Sequence, residues 1–144
     1  MLKKVVIFIV FLMFLRSALA YKVTFIIEVP IYTPDDAEIY LAGTFNNWNP
    51  KDENYKCVRD GFVYKKVLDL SGKVEFKVTR GSWETVEKGV KGAEIPNRVL
   101  DVDKDMEVKI TVLHWRDFVE KQQAGLRKTY TGNIKLIKDF YSPE

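Results

Sequence analysis

What most limits how this chain can fold is an alternation of apolar and polar residues that recurs in short runs. In "KVTFIIEVP" (Lys22–Pro30), Val23, Phe25, Ile27 and Val29 share one face. "AEIYLAG" (Ala37–Gly43) sets Ile39 and Leu41 on one side and Glu38 and Tyr40 on the other. "FVYKKVLDL" (Phe62–Leu70), "KVEFKVTR" (Lys73–Arg80), "NRVLDV" (Asn97–Val102) and "EVKITVLHW" (Glu107–Trp115) repeat the period of two. Successive strand side chains point to opposite faces, so this period marks half-buried strands. Turn-forming segments separate the runs at Thr33–Asp36, Arg59–Gly61, Ser71-Gly72 and Asp103–Asp105. Six or seven short strands without a convincing long helix predict an all-β fold, an immunoglobulin-like antiparallel β-sandwich of two sheets.

The two ends differ from this middle. Residues 1–20, "MLKKVVIFIVFLMFLRSALA", run from basic (Lys3, Lys4) through an apolar stretch (Val5–Leu15) to Ala18-Leu19-Ala20. That is the order of a secretory signal peptide with a small-residue cleavage site, and the stretch is short for a membrane span. Secretion is therefore expected, with no membrane association after cleavage. The formal charge of +3 is carried by Lys3, Lys4 and Arg16, so the mature chain is neutral. Without a basic block, nothing points to nucleic acid as a partner. Residues 21–116 form the expected sandwich, one domain with one core. Residues 117–144 read as a linker or short helix ended by Gly125, then an orphan strand candidate at Asn133–Asp139. Cys57 is the only cysteine, which rules out an internal disulfide; it reads as a small buried hydrophobe.

Signatures of catalysis are weak. His114, the single histidine, stands at a strand end and reads as a hydrogen-bonded structural residue. Ser71, Ser82 and Ser142 lack the G-x-S-x-G context of a nucleophile elbow. Asp101, Asp103 and Asp105 open like a calcium loop, but Met106 stands where the turn glycine belongs and Val112 where the bidentate Glu belongs. A solvated hairpin turn is the better reading. No metal and no cofactor are implied, and the chain is expected not to be an enzyme.

Signatures of binding are stronger. "GTFNNWNP" (Gly43–Pro50) is turn chemistry with Trp48 in its middle, and "RGSWE" puts Trp83 just past a strand. Alternation along "VEFKVT" turns Lys77 outward when Val74, Phe76 and Val78 turn inward. Two indoles beside an ammonium suit a saccharide: C–H faces of a pyranose pack on the rings, and rim hydroxyls need donors and acceptors. The competing reading is that one or both Trp fold back onto the edge of the sandwich.

Taken in order, "EIYLAGTFNNWNP", "YKKVLDLSGKVEFKVTRGSWETVE" and "EIPNRVLDV" resemble the starch- and glycogen-binding modules, carbohydrate-binding module families 20 and 48. The resemblance covers about Val23 to Trp115. It implies a starch-binding-domain type of sandwich whose α-glucan site is Trp48, Trp83, Lys77 and Asn97. It implies an angled Trp pair suited to the curved α-1,4 chain of starch, glycogen or maltooligosaccharides. A second site is doubtful, because Asp35-Asp36-Ala37 replaces the tyrosine some members carry there. "TGNIKLIKDFYSP" in turn resembles the opening strand of secreted esterases with an α/β-hydrolase fold. That leaves open a separately encoded esterase or glycoside hydrolase as partner, or a truncated or split esterase of which this is the N-terminal part. A protein-interaction or targeting sandwich without sugar affinity is the remaining alternative.

Overall fold

The computed structural model describes residues 20–126. The leader (apart from Ala20) and the Asn133–Asp139 strand candidate lie outside them. The alternating runs become β1 (Tyr21–Glu28), β2 (Tyr40–Gly43), β4 (Val63–Leu70), β5 (Gly72–Thr79), β7 (Arg98–Val102) and β8 (Met106–Thr111). Two pieces too short to show a period add β3 (Val58–Asp60) and β6 (Glu87–Lys88), and the end of the last run separates as β9 (His114–Trp115). They form a four-stranded sheet in the order β3-β4-β1-β8, a three-stranded sheet β2-β5-β7, and the pair β6-β9.

The expectation of antiparallel strands fails at one place. β1 and β8 run parallel, in register from Val23↔Met106 to Glu28↔Thr111. Tight turns impose antiparallel pairing only on strands they join, and almost the whole domain intervenes between these two. Nor is Asp103–Asp105 a hairpin turn: it carries the chain from β7 in one sheet to β8 in the other. There the Asp105 carboxylate accepts a 2.9 Å bond from the Lys22 backbone N–H.

The two sheets enclose one core. Val23, Phe25 and Ile27 of β1 and Val74, Phe76 and Val78 of β5 are all buried in it. Phe25 and Phe76 meet edge to face at 5.3 Å, the arrangement that the ring quadrupole favours. His114 is the strand-end residue expected of it, with Nδ1 2.9 Å from the Tyr32 hydroxyl.

Tyr40 departs from its alternation. Expected outside with Glu38, it is fully buried, because the chain between β2 and β3 folds back over it and pairs Tyr40 with Lys56. Its hydroxyl lies 2.8 Å from both Glu38 Oε2 and Glu53 Oε1, and burial first, then these carboxylates, raise its pKa. Cys57 is buried at the same seam, and burial pushes its thiol up to about 12. Native Cys57 is therefore expected to react with a thiol reagent far more slowly than the denatured chain; equal rates would contradict its burial. Because the folded thiol ionises later than the unfolded one, its contribution to stability is whole below pH 9 and lost as pH rises through about 12.

Residues 116–126 form a helix, α1, that runs through Gly125 rather than ending there. It is docked, not a linker. Arg80 pairs with Asp117 at 2.6 Å, and its guanidinium carbon lies 5.3 Å from the ring centres of Trp115 and Phe118. Val119 approaches Gly92 so closely that a Cβ there would sit 2.5 Å from Cγ1.

Candidate functional site

The outer face of the three-stranded sheet carries the site. β5 turns Glu75 and Lys77 away from the core while Val74, Phe76 and Val78 enter it, as a period of two demands. Two loops rise beside this face, one after β2 and one after β5.

The first loop is built around Asn46. Its buried side chain accepts from the Gly43 backbone N–H at 2.9 Å and donates to the carbonyls of Leu41 (3.1 Å) and Asn49 (3.2 Å). Phe45 stacks on Tyr55 at 5.1 Å, and the Tyr55 hydroxyl donates to the Phe45 carbonyl. Gly43 is needed for closeness, not for its φ: a Cβ there would lie 2.4 Å from the Glu75 carbonyl oxygen. So braced, the loop holds Asn47 and Trp48 in left-handed backbone, with φ 52 and 58. Asn accepts that region readily; for Trp it costs roughly 1–2 kcal/mol. Trp48 is nonetheless only half-buried.

The second loop turns at Gly81, φ 91, and places Trp83 at the start of a single 3-10 turn, Trp83–Thr85. The Ser82 carbonyl accepts from the Thr85 backbone N–H at 3.2 Å and from its hydroxyl at 3.1 Å. Trp83 is half-buried too. The two indoles stand 6.4 Å apart between centroids with their planes tilted by 40°, so they form neither one flat platform nor a closed stack.

Trp48, Trp83, Lys77 and Asn97, the four residues singled out from the sequence, border one open pocket of about 260 Å³. Val86, Glu94 and Arg116 complete it. Lys77 is more engaged than an outward lysine need be. Its ammonium donates to the Ile95 carbonyl at 2.6 Å and more weakly to that of Pro96 at 3.5 Å, and burial holds its pKa below the usual lysine value. An ammonium has three donors, so about one is left for a ligand. Asn97 is exposed, and its amide donates to Glu75 at 3.1 Å.

Sequence reasoning missed Val86, Glu94 and Arg116. Val86 and Glu94 lie in segments without strand period, and Arg116 belongs to α1, beyond the last alternating run. A larger depression, about 530 Å³, is lined by the segment before β2, the segment before β3, and β3 and β4. Two of its ion pairs are internal, Lys56 with Glu38 and Arg59 with Asp35, and its one lining aromatic residue, Tyr64, is buried and offers no ring to stack on a sugar.

No family model matches the chain. Over 103 residues, 68% of its length, it is 44% identical to an alpha-amylase of Niallia circulans. It is 40% identical to an amylopullulanase of Thermoanaerobacter thermohydrosulfuricus over 67% of its length. With an amylopullulanase of Thermoanaerobacterium thermosulfurigenes it shares 38% identity over 81%. The chain spans only 8%, 7% and 7% of these three relatives. Among solved structures, the glycoside hydrolase family 15 glucoamylase from Hypocrea jecorina aligns with a TM-score of 0.47 and 17% identity, over 68% of this chain and 17% of that one. The sequence relatives are thus amylolytic enzymes, matched over a small share of their length.

Proposed function

We propose that the chain is a secreted, non-catalytic module that binds α-glucan, with a sandwich of the immunoglobulin-like starch-binding type. The observation that carries this is the tilted Trp48–Trp83 pair, one member held in left-handed backbone, facing a pocket with Lys77 and Asn97. A 40° tilt lets two glucose units of a curved α-1,4 chain each lay a C–H face on an indole. Lys77 would offer its remaining donor to a sugar hydroxyl, and Asn97 its amide oxygen. The relatives, named for amylase and amylopullulanase activity, support an α-glucan over other polysaccharides. The small share of each that is matched fits an accessory module beside a catalytic domain. Secretion rests on the leader pattern of residues 1–20.

Shallow contact on one open face buries little area, so affinity belongs in the micromolar to millimolar range. Migration of the full chain through a native gel is expected to slow when soluble starch is cast into it. Maltoheptaose should perturb the tryptophan fluorescence and saturate. No retardation and no saturable fluorescence change would leave a protein-interaction sandwich as the better account.

A further inference from the structure

The pocket has a charged rim that the family resemblance does not contain. Glu94 stands between Gly89, whose N–H donates to the Ala93 carbonyl at 2.8 Å, and the carbonyls of Ile95 and Pro96 that receive Lys77. Its side chain is 73% exposed, yet Oε1 is tied to the ammonium of Lys88, whose own side chain is only 7% exposed. A nearly buried lysine under an exposed carboxylate fixes the orientation of that carboxylate. It leaves Oε2 with no hydrogen-bond partner among the described residues.

Arg116 faces the same pocket from the first turn of α1. Its backbone N–H donates to the carbonyl of Val86 at 3.0 Å, and its Nε donates to Glu120 at 3.2 Å. The two terminal guanidinium nitrogens have no acceptor among the described residues. Glu94 and Arg116 therefore carry opposite charge into one pocket, each held by another group, and no ion pair joins them among the described residues.

We propose that Glu94 and Arg116 are specificity-determining residues that together read two adjacent hydroxyls of a glucose unit held at the Trp48–Trp83 pair. This rests on the glucan reading above. A hydroxyl both donates and accepts, so one can donate to Glu94 Oε2 while its neighbour accepts from the guanidinium. Bonds to charged groups are roughly twice as strong as neutral ones. Helix α1 thereby belongs to the binding site and is more than a cap on the sandwich.

The test is titration of the full chain and of Glu94→Gln, Arg116→Gln and Trp48→Ala/Trp83→Ala variants with maltoheptaose by calorimetry. Glu94→Gln and Arg116→Gln are each expected to weaken binding by about tenfold. A combined Glu94→Gln/Arg116→Gln variant should lose less than the product of the two single losses, because a clasped diol is lost with either partner. Arg116→Gln should barely move the thermal midpoint, whereas Glu94→Gln should lower it, because the nearly buried Lys88 ammonium loses its counter-ion. If the Trp variant loses binding while both Gln variants stay within about twofold of wild type, the rim proposal is overturned and the glucan site stands. If the wild-type chain shows no binding, the glucan reading falls and the rim with it. Should Arg116→Gln fail to fold, Glu94→Gln decides alone.

Discussion

Trp48→Ala/Trp83→Ala is expected to abolish retention on amylose while leaving the fold intact. Truncating an aromatic anchor at a binding hot spot costs about 2–4 kcal/mol, or roughly thirtyfold or more per ring. Affinity that begins in the micromolar to millimolar range cannot survive two such losses. Neither indole belongs to the buried core cluster, so the midpoint of denaturation should shift by no more than about 1 kcal/mol. Trp48→Gly is a sharper variant. It removes the ring and also relieves the left-handed strain at φ 58, so it should be no less stable than wild type yet bind poorly. Undiminished retention in the double variant would sink the site assignment. A large loss of stability in Trp48→Gly would show instead that the indole is there for packing.

How much of this was legible beforehand follows from what each feature depends on. The long strands were readable because Val23, Phe25 and Ile27, like Val74, Phe76 and Val78, are consecutive entries of a period-two pattern. Lys77 could be turned outward by the same parity. Trp48 stood out because Asn, Gly and Pro around it are loop residues for local steric reasons. Tyr40 could not be placed, since its burial depends on a loop that returns from Lys56 fifteen or so residues later, and alternation says nothing about what covers an outer face. β6 has two residues and no period. The engagement of Lys77 by the Ile95 and Pro96 carbonyls, and the arrival of Arg116 from α1, are tertiary facts with no local trace. The parallel pairing of β1 with β8 was equally hidden, because pattern fixes a strand's face but not its neighbour's direction.

The largest expected effect on stability lies in β6. Glu87 is 1% exposed, and its carboxylate is fully used. Oε1 accepts from the Val78 backbone N–H at 2.9 Å, and both oxygens receive Arg98, the shortest contact being 2.7 Å from a terminal nitrogen. Val78 follows Lys77, and Arg98 follows Asn97, so this one side chain ties together the two strands that present the polar half of the pocket. Its neighbours extend the reach: Lys88 holds Glu94, and the Val86 carbonyl receives the first helical N–H, that of Arg116. Glu87→Gln would leave the Arg98 charge without its counter-ion in a site only 30% open to water on the arginine side. Breaking such a pair from one side costs about 3–5 kcal/mol, here toward the lower end because of that exposure. Removing both charges together, as Glu87→Leu/Arg98→Leu, should recover part of the loss, but not the bond to Val78, whose stranded N–H costs about 1–3 kcal/mol. Urea denaturation of the three proteins separates these contributions. A Glu87→Gln midpoint equal to wild type would contradict the assignment of this carboxylate as the tie between β5 and β7. Under conditions where Glu87→Gln remains folded, weaker maltoheptaose binding is also expected, because Lys77 and Asn97 would no longer be held in common register. Unchanged affinity in a destabilised variant would mean that the two loops alone fix the pocket.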